Sequence, residues 1–91
     1  SPEGSTRIMY EAIFLNVFLK RFKKLPKDVK ERIAKVTEEL IENPYIGLKL
    51  RGEFADFWKI RVGKYRLIYR INEEEGKIIF FDIDLRKRAY D

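Results

Sequence analysis

The chain has 91 residues with 20 Lys plus Arg, 15 Asp plus Glu and a formal charge of +5, and it has no His and no Cys. Those two absences exclude zinc fingers, Ser-His triads, thiol nucleophiles, disulfide staples and imidazole acid–base chemistry. With 45% hydrophobic residues the chain can bury one modest core, and no apolar run approaches the ~20 residues a bilayer-spanning helix needs, so a single domain, soluble and cytoplasmic, is expected.

Residues 1–8 are small and polar with one Pro and one Gly, and they read as an added leader ahead of Met9. Between Met9 and Phe14 the residues Tyr10, Ala12 and Phe14 alternate with Glu11 and Ile13, which predicts a first strand. Leu15, Phe18, Leu19, Phe22 and Leu25 then recur at helical spacing, with Lys20, Arg21, Lys23 and Lys24 opposite them and Asn16 as the expected N-cap. Pro26 breaks that helix. Val29, Ile33, Val36 and Leu40 define a second amphipathic helix, stopped by Asn43-Pro44, and the two should form an antiparallel hairpin. The rest reads as a three-stranded antiparallel meander, Phe57 to Val62, Tyr65 to Ile71 and Lys77 to Leu85, with turns at Gly63-Lys64 and at Asn72 to Gly76. The fold class is therefore α+β, one small domain over residues 9–91, with the meander packed on the helices.

Charge is uneven along this order. Residues 43–72 carry a net +5, residues 73–84 a net −4 and residues 85–91 a net +2, so attraction to a polyanion is strongest over the meander and the C-terminus. A two-residue turn at Gly63-Lys64 sets Arg61 opposite Arg66 and Trp58 opposite Tyr69. One face then holds Trp58, Ile60, Val62, Tyr65, Leu67, Tyr69 and Ile71. The other holds Lys59, Arg61, Arg66 and Arg70 beside Phe57 and Ile68. In the last strand the same alternation assigns Ile79, Phe81, Ile83 and Leu85 to the core, with Ile78, Phe80, Asp82, Asp84 and Arg86 on the cationic side.

The cationic side reads either as the solvated face of an amphipathic sheet or as a surface for a polyanion. Arg61 opposite Arg66 costs stability, which a bound phosphate chain would offset. Asp82 and Asp84 are expected to act as counter-ions there. One reaction suits a site without His: cleavage of RNA by its own 2′-hydroxyl, in which the substrate brings the nucleophile. The protein supplies a base, positive charge for the phosphorane, a proton for the 5′-oxygen and a platform that splays the bases.

Four segments together carry a family likeness: Phe22-Lys23-Lys24-Leu25-Pro26, Leu48-Lys49-Leu50-Arg51-Gly52, the strand pair from Trp58 to Tyr69, and Arg86-Lys87-Arg88-Ala89-Tyr90. From Met9 to Asp91 the chain resembles the RelE branch of the RelE/ParE toxin superfamily. The resemblance implies a ribosome-dependent messenger RNA endonuclease that cuts in the ribosomal A site and is held in check by a RelB-like antitoxin, in an assembly of two toxins and two antitoxins. It implies Lys59 as general base, Arg61 as a second cation, Arg66 as the phosphate-stabilising arginine, Arg86 as a phosphate contact or proton source, and Tyr90 as a stacking residue. Lys49, Arg51, Lys64 and Arg88 are expected to bind RNA around them. No metal, cofactor or membrane partner is expected. Leu85 stands where many relatives have a His before the terminal arginine. A gyrase-inhibiting toxin of the ParE kind and a non-catalytic RNA- or ribosome-binding module are the competing readings, because fold alone does not separate them.

Overall fold

The computed structural model describes residues 9–85. Strand β1, Glu11–Phe14, leads into helix α1, Asn16–Lys23, and after three residues into helix α2, Lys27–Glu42. Single 3-10 turns at Pro44–Ile46 and Gly52–Phe54 flank a two-residue strand β2, Leu48–Lys49. Strands β3, Phe57–Val62, β4, Tyr65–Asn72, and β5, Lys77–Leu85, follow.

All five strands form one sheet in the order β1-β5-β4-β3-β2, antiparallel except for β1, which runs parallel to β5. The three-stranded meander of the sequence reading is thus the centre of a five-stranded mixed sheet. The N-terminal strand closes one edge by pairing Ala12 with Ile78 and Phe14 with Phe80, and β2 borders the other. Tyr10 N–H donates to the Ile41 carbonyl at 3.0 Å, tying the entry of β1 to the end of α2.

The helices cover one face of this sheet, α1 lying against β5 and α2 against β3. Phe18 from α1 and Ile33 and Leu40 from α2 are buried against Val62, Leu67, Tyr69, Ile78, Phe80 and Ile83, with Val29 and Val36 packed at the margin. Leu15, and not Asn16, takes the N-cap position of α1, with extended backbone and no side-chain cap, because the β1–β5 ladder carries on to the Leu15 N–H, which donates to the Phe80 carbonyl at 3.1 Å. The helix opens as soon as that bond ends.

The β3–β4 register follows from its turn. Gly63 takes φ +62°, the conformation required of the first central residue in a hairpin turn of this twist, and Val62–Tyr65, Arg61–Arg66 and Trp58–Tyr69 face one another. In β5 the simple alternation fails. Ile68 of β4 faces Asp82 while Tyr69 faces Phe80, so Phe81 is an extra residue, a β-bulge. One inserted residue reverses the faces on its two sides. Before the bulge Ile78 and Phe80 are fully buried under the helices and Ile79 and Phe81 point to the open face, the reverse of the alternation read from sequence. Beyond it Ile83 is buried and Asp82 and Asp84 lie on the cationic side, as expected. Leu85 shares the helix side yet is 40% exposed, because it ends the strand beyond the reach of the core.

Candidate active site

Three side chains of the expected set meet on the open face near the β3–β4 turn. Lys59 on β3 lies between Leu48 of β2 and Ile68 of β4, and Arg61, two residues on, faces Arg66 of β4. With Ile46, Gly47, Leu48 and Ile60 these three line a recess of about 190 Å³. Lys59 and Arg66 are half-buried and Arg61 is exposed.

Arg66 is the most constrained of the three. It sits between Arg61 on one neighbouring strand and Asp84 on the other, and its Nη2 donates to Asp84 Oδ2 at 2.6 Å. Its Nε is buried and has no acceptor among the described residues. A buried donor left without an acceptor costs about 1–3 kcal/mol, so this guanidinium is only partly satisfied as it stands. Arg61 and Lys59 have no ion-pair partner among the described residues.

The wall of the recess is held from the core side. Tyr69, fully buried, donates its hydroxyl to the Pro44 carbonyl at 2.8 Å and stacks near Trp58 at 6.3 Å between ring centroids. Burial pushes its phenol up to about 12, and a hydrogen bond with the Gly47 backbone offsets part of that rise. Gly47 passes directly over this hydroxyl. A methyl group there would run into the Tyr69 oxygen and the Lys59 carbonyl, so only glycine lets β2 come close enough to pair Leu48 with Lys59. Sequence reading assigns Tyr69 to the core, correctly, but misses this support. The available signal is that a buried tyrosine needs a partner for its hydroxyl.

The other expected residues do not converge in the same way. Lys49 faces Trp58 across β2 and β3, which puts it on the opposite side of the sheet from Lys59, and it borders a polar cleft with Tyr45, Asp56 and Arg70. Arg51 is exposed at the start of the Gly52–Phe54 turn, and Lys64 is exposed at the hairpin tip. Arg86, Arg88 and Tyr90 lie outside the described residues. Of the two counter-ions, Asp84 pairs with Arg66, whereas Asp82 pairs with Arg21 of α1 at 3.3 Å. Arg21 also donates to the Ile83 carbonyl at 3.2 Å, capping β5 beyond the point where β1 stops pairing with it.

Next to the cations the open face turns apolar. Leu15, Val17, Leu50, Phe54, Phe57, Ile68 and Phe81 line an open trough of about 510 Å³ with Asp82 at its border. Phe57 meets Phe81 edge-on at 4.8 Å between centroids. The bulge creates this trough by turning Phe81 outward, which is why strand alternation does not reveal it.

Two helices on one face of a five-stranded mixed sheet make an architecture that this chain shares with solved toxins of toxin–antitoxin pairs. The family model described as the ParE toxin of the type II parDE toxin–antitoxin system matches residues 12–90, and the chain belongs to that family. Within it the chain falls in the RelE branch. It is 38% identical over 73 residues to the mRNA interferase toxin RelE of Escherichia coli K12, covering 77% of this chain and 74% of that protein. The isolated Escherichia coli RelE toxin superposes with a TM-score of 0.78 at 31% identity, covering 88% of this chain and 87% of that one. A chain of the toxin–antitoxin complex RelBE2 from Mycobacterium tuberculosis superposes with a TM-score of 0.80 at 28% identity, covering 89% and 95%. The protein is thus a toxin of RelE type.

Proposed function

We propose that the chain is a ribosome-dependent messenger RNA endonuclease that cuts by attack of the substrate's 2′-hydroxyl on the adjacent phosphate. The observation that carries this reading is the convergence of Lys59, Arg61 and Arg66 on one recess whose central guanidinium has an unfilled donor. Lys59 takes the 2′-hydroxyl proton, Arg66 stabilises charge on the phosphorane, and Arg61 holds the strand as a further cation. Arg86 and Tyr90 complete the set as leaving-group proton source or phosphate contact and as stacking platform, with Arg51, Lys64 and Arg88 guiding the RNA. Lys49 has a smaller part, since it faces away from Lys59. The relative in Escherichia coli named an mRNA interferase supports the nuclease over the gyrase-inhibitor reading.

The partner in this reading is a RelB-like antitoxin. Relatives of this fold are found in toxin–antitoxin complexes from Mycobacterium tuberculosis and Escherichia coli. This chain has apolar surface to offer such a partner: Val17 is 51%, Phe54 55% and Leu48 67% exposed. Val17 and Phe54 share the apolar trough, and grouped apolar exposure of this kind suits a partner.

Cleavage of a defined message on ribosomes stalled with an open A site tests the proposal. The unaltered protein should cut within the A-site codon and leave free message intact. Arg66→Ala and Lys59→Ala should each slow cutting by about 100-fold, the scale of losing one transition-state contact. Absence of cutting by the unaltered protein overturns the nuclease reading.

A further inference from the structure

We propose that Asp84 is an internal substitute for phosphate, occupying Arg66 while the site is empty and giving way when the phosphodiester of an RNA strand arrives. The inference rests on the reading of this face as an RNA surface. Arg66 and Asp84 are direct cross-strand neighbours, joined by the single contact from Nη2 to Oδ2 at 2.6 Å. A guanidinium presents Nε–H and one Nη–H side by side, spaced to meet two oxygens of a carboxylate or phosphate. Asp84, fixed by a short side chain on the next strand, fills one nitrogen. Nε stays buried and without an acceptor among the described residues. Once Asp84 lets go, the Arg66 side chain can turn so that its buried Nε and Nη2 both face the recess, where a phosphate offers non-bridging oxygens for both positions, and the guanidinium exchanges a half-made pair for a complete one.

Asp84 is placed to leave. Its side chain is 44% exposed against 22% for that of Arg66, so water takes over the carboxylate readily. It lies one residue from the end of β5, beyond the stretch that β1 covers. Asp82, on the same strand and face, is fastened twice, to Arg21 and to the N–H of Ile83, and touches none of the three cations. The two acids therefore differ in kind: Asp82 ties helix to strand, and Asp84 occupies the site. In the empty protein Asp84 also relieves the repulsion of Lys59, Arg61 and Arg66 for one another.

The test uses the full chain and an oligoribonucleotide 2′-O-methylated throughout, which binds without being cut, with affinity read by fluorescence anisotropy. Asp84→Asn should bind about threefold to fivefold tighter, the scale of releasing one partly exposed ion pair. In an Arg66→Ala background the same change should have no effect, and Asp82→Asn in the unaltered background should give less than a twofold gain. An unchanged or weaker Asp84→Asn overturns the proposal, as does an equal gain with Arg66 absent or from Asp82→Asn, since either marks a general charge effect. A second reading needs no variant: the Arg66 Nε–H resonance of the unaltered protein should move on saturation with the oligonucleotide, and a fixed resonance overturns the proposal. Ribosomal cutting is scored separately. Tighter binding without cutting removes the nuclease reading alone, and cutting without coupling between Asp84 and Arg66 removes only this inference.

Discussion

The two faces of the central sheet are built from the same three strands and obey different rules. Under the helices Leu67, Tyr69, Ile78 and Phe80 are wholly excluded from water, and the buried tyrosine hydroxyl has its acceptor. On the open face two arginines stand opposite each other, a buried Nε has no acceptor, and phenylalanines line an open trough. Every one of those features costs stability in the isolated chain. Features that lower stability persist where a bound molecule offsets them, so the contrast separates the face that makes the fold from the face on which the proposed function places its ligand.

The sharpest way to break this division is to compare two adjacent residues. Phe80 lies under the helices and packs on Phe14 at 4.9 Å, Phe18 at 5.5 Å and Tyr69 at 6.1 Å between centroids. Phe81, turned outward by the bulge, meets Phe57 and is half-buried. Phe80→Ala should cost about 3–5 kcal/mol in urea unfolding, and Phe81→Ala about 1 kcal/mol. Equal or reversed costs would show that the bulge is misplaced and that the two faces are not divided at this point.

That same bulge marks the limit of what local pattern reveals. The β3–β4 register is legible because Gly63-Lys64 fixes it within two residues, and with it the common face of Lys59, Arg61 and Arg66. Ile78-Ile79-Phe80-Phe81 gives no such cue: four consecutive apolar residues satisfy either alternation, and only pairing with β4 shows where the extra residue falls. Long-range pairing hides the rest. Nothing near Glu11 encodes its parallel alignment with Lys77, and the register that turns Lys49 away from Lys59 is set by a strand of two residues. Tyr69 and Pro44, 25 positions apart, are likewise joined only by the fold.

Tyr69 gives the next prediction, since it is the place where the buried face supports the open one. Tyr69→Phe should cost about 1–2 kcal/mol near neutral pH through the lost bond to Pro44. Burial holds the folded phenol near 12 while the unfolded one titrates near 10, so the folded state keeps its proton where the unfolded state loses it. The tyrosine's advantage is full below pH 10 and is lost as pH rises toward 12, by an order of 2 kcal/mol. The stability gap between the unaltered protein and Tyr69→Phe should narrow over that window in urea titrations, and a constant gap would mean that the hydroxyl is not sealed from water. Cutting on ribosomes at neutral pH should also slow in Tyr69→Phe, because the Pro44–Gly47 turn that walls the recess loses its tie.

Arg61 carries the smallest effect on stability and the most direct measure of what the open face is for. Opposite Arg66, with no acid of its own among the described residues, it repels its neighbour, so Arg61→Thr should raise stability by about 0.2–0.5 kcal/mol, the strand propensity of threonine adding in the same direction. In the proposed function the same change removes a cation that holds the RNA strand. Binding to single-stranded RNA should weaken, and the slope of log affinity against log salt should flatten by about 0.7. Stability and binding then move in opposite directions at one residue. A structural arginine would show the reverse on the first axis, losing stability when replaced, and a merely solvated one would leave the salt slope unchanged. Arg66→Ala differs from it on the first axis, because the half-buried Arg66 stem and its bond to Asp84 are lost with the charge, and it should not gain stability. The pair of variants thus tells a cation kept for its ligand alone from one that the sheet also uses.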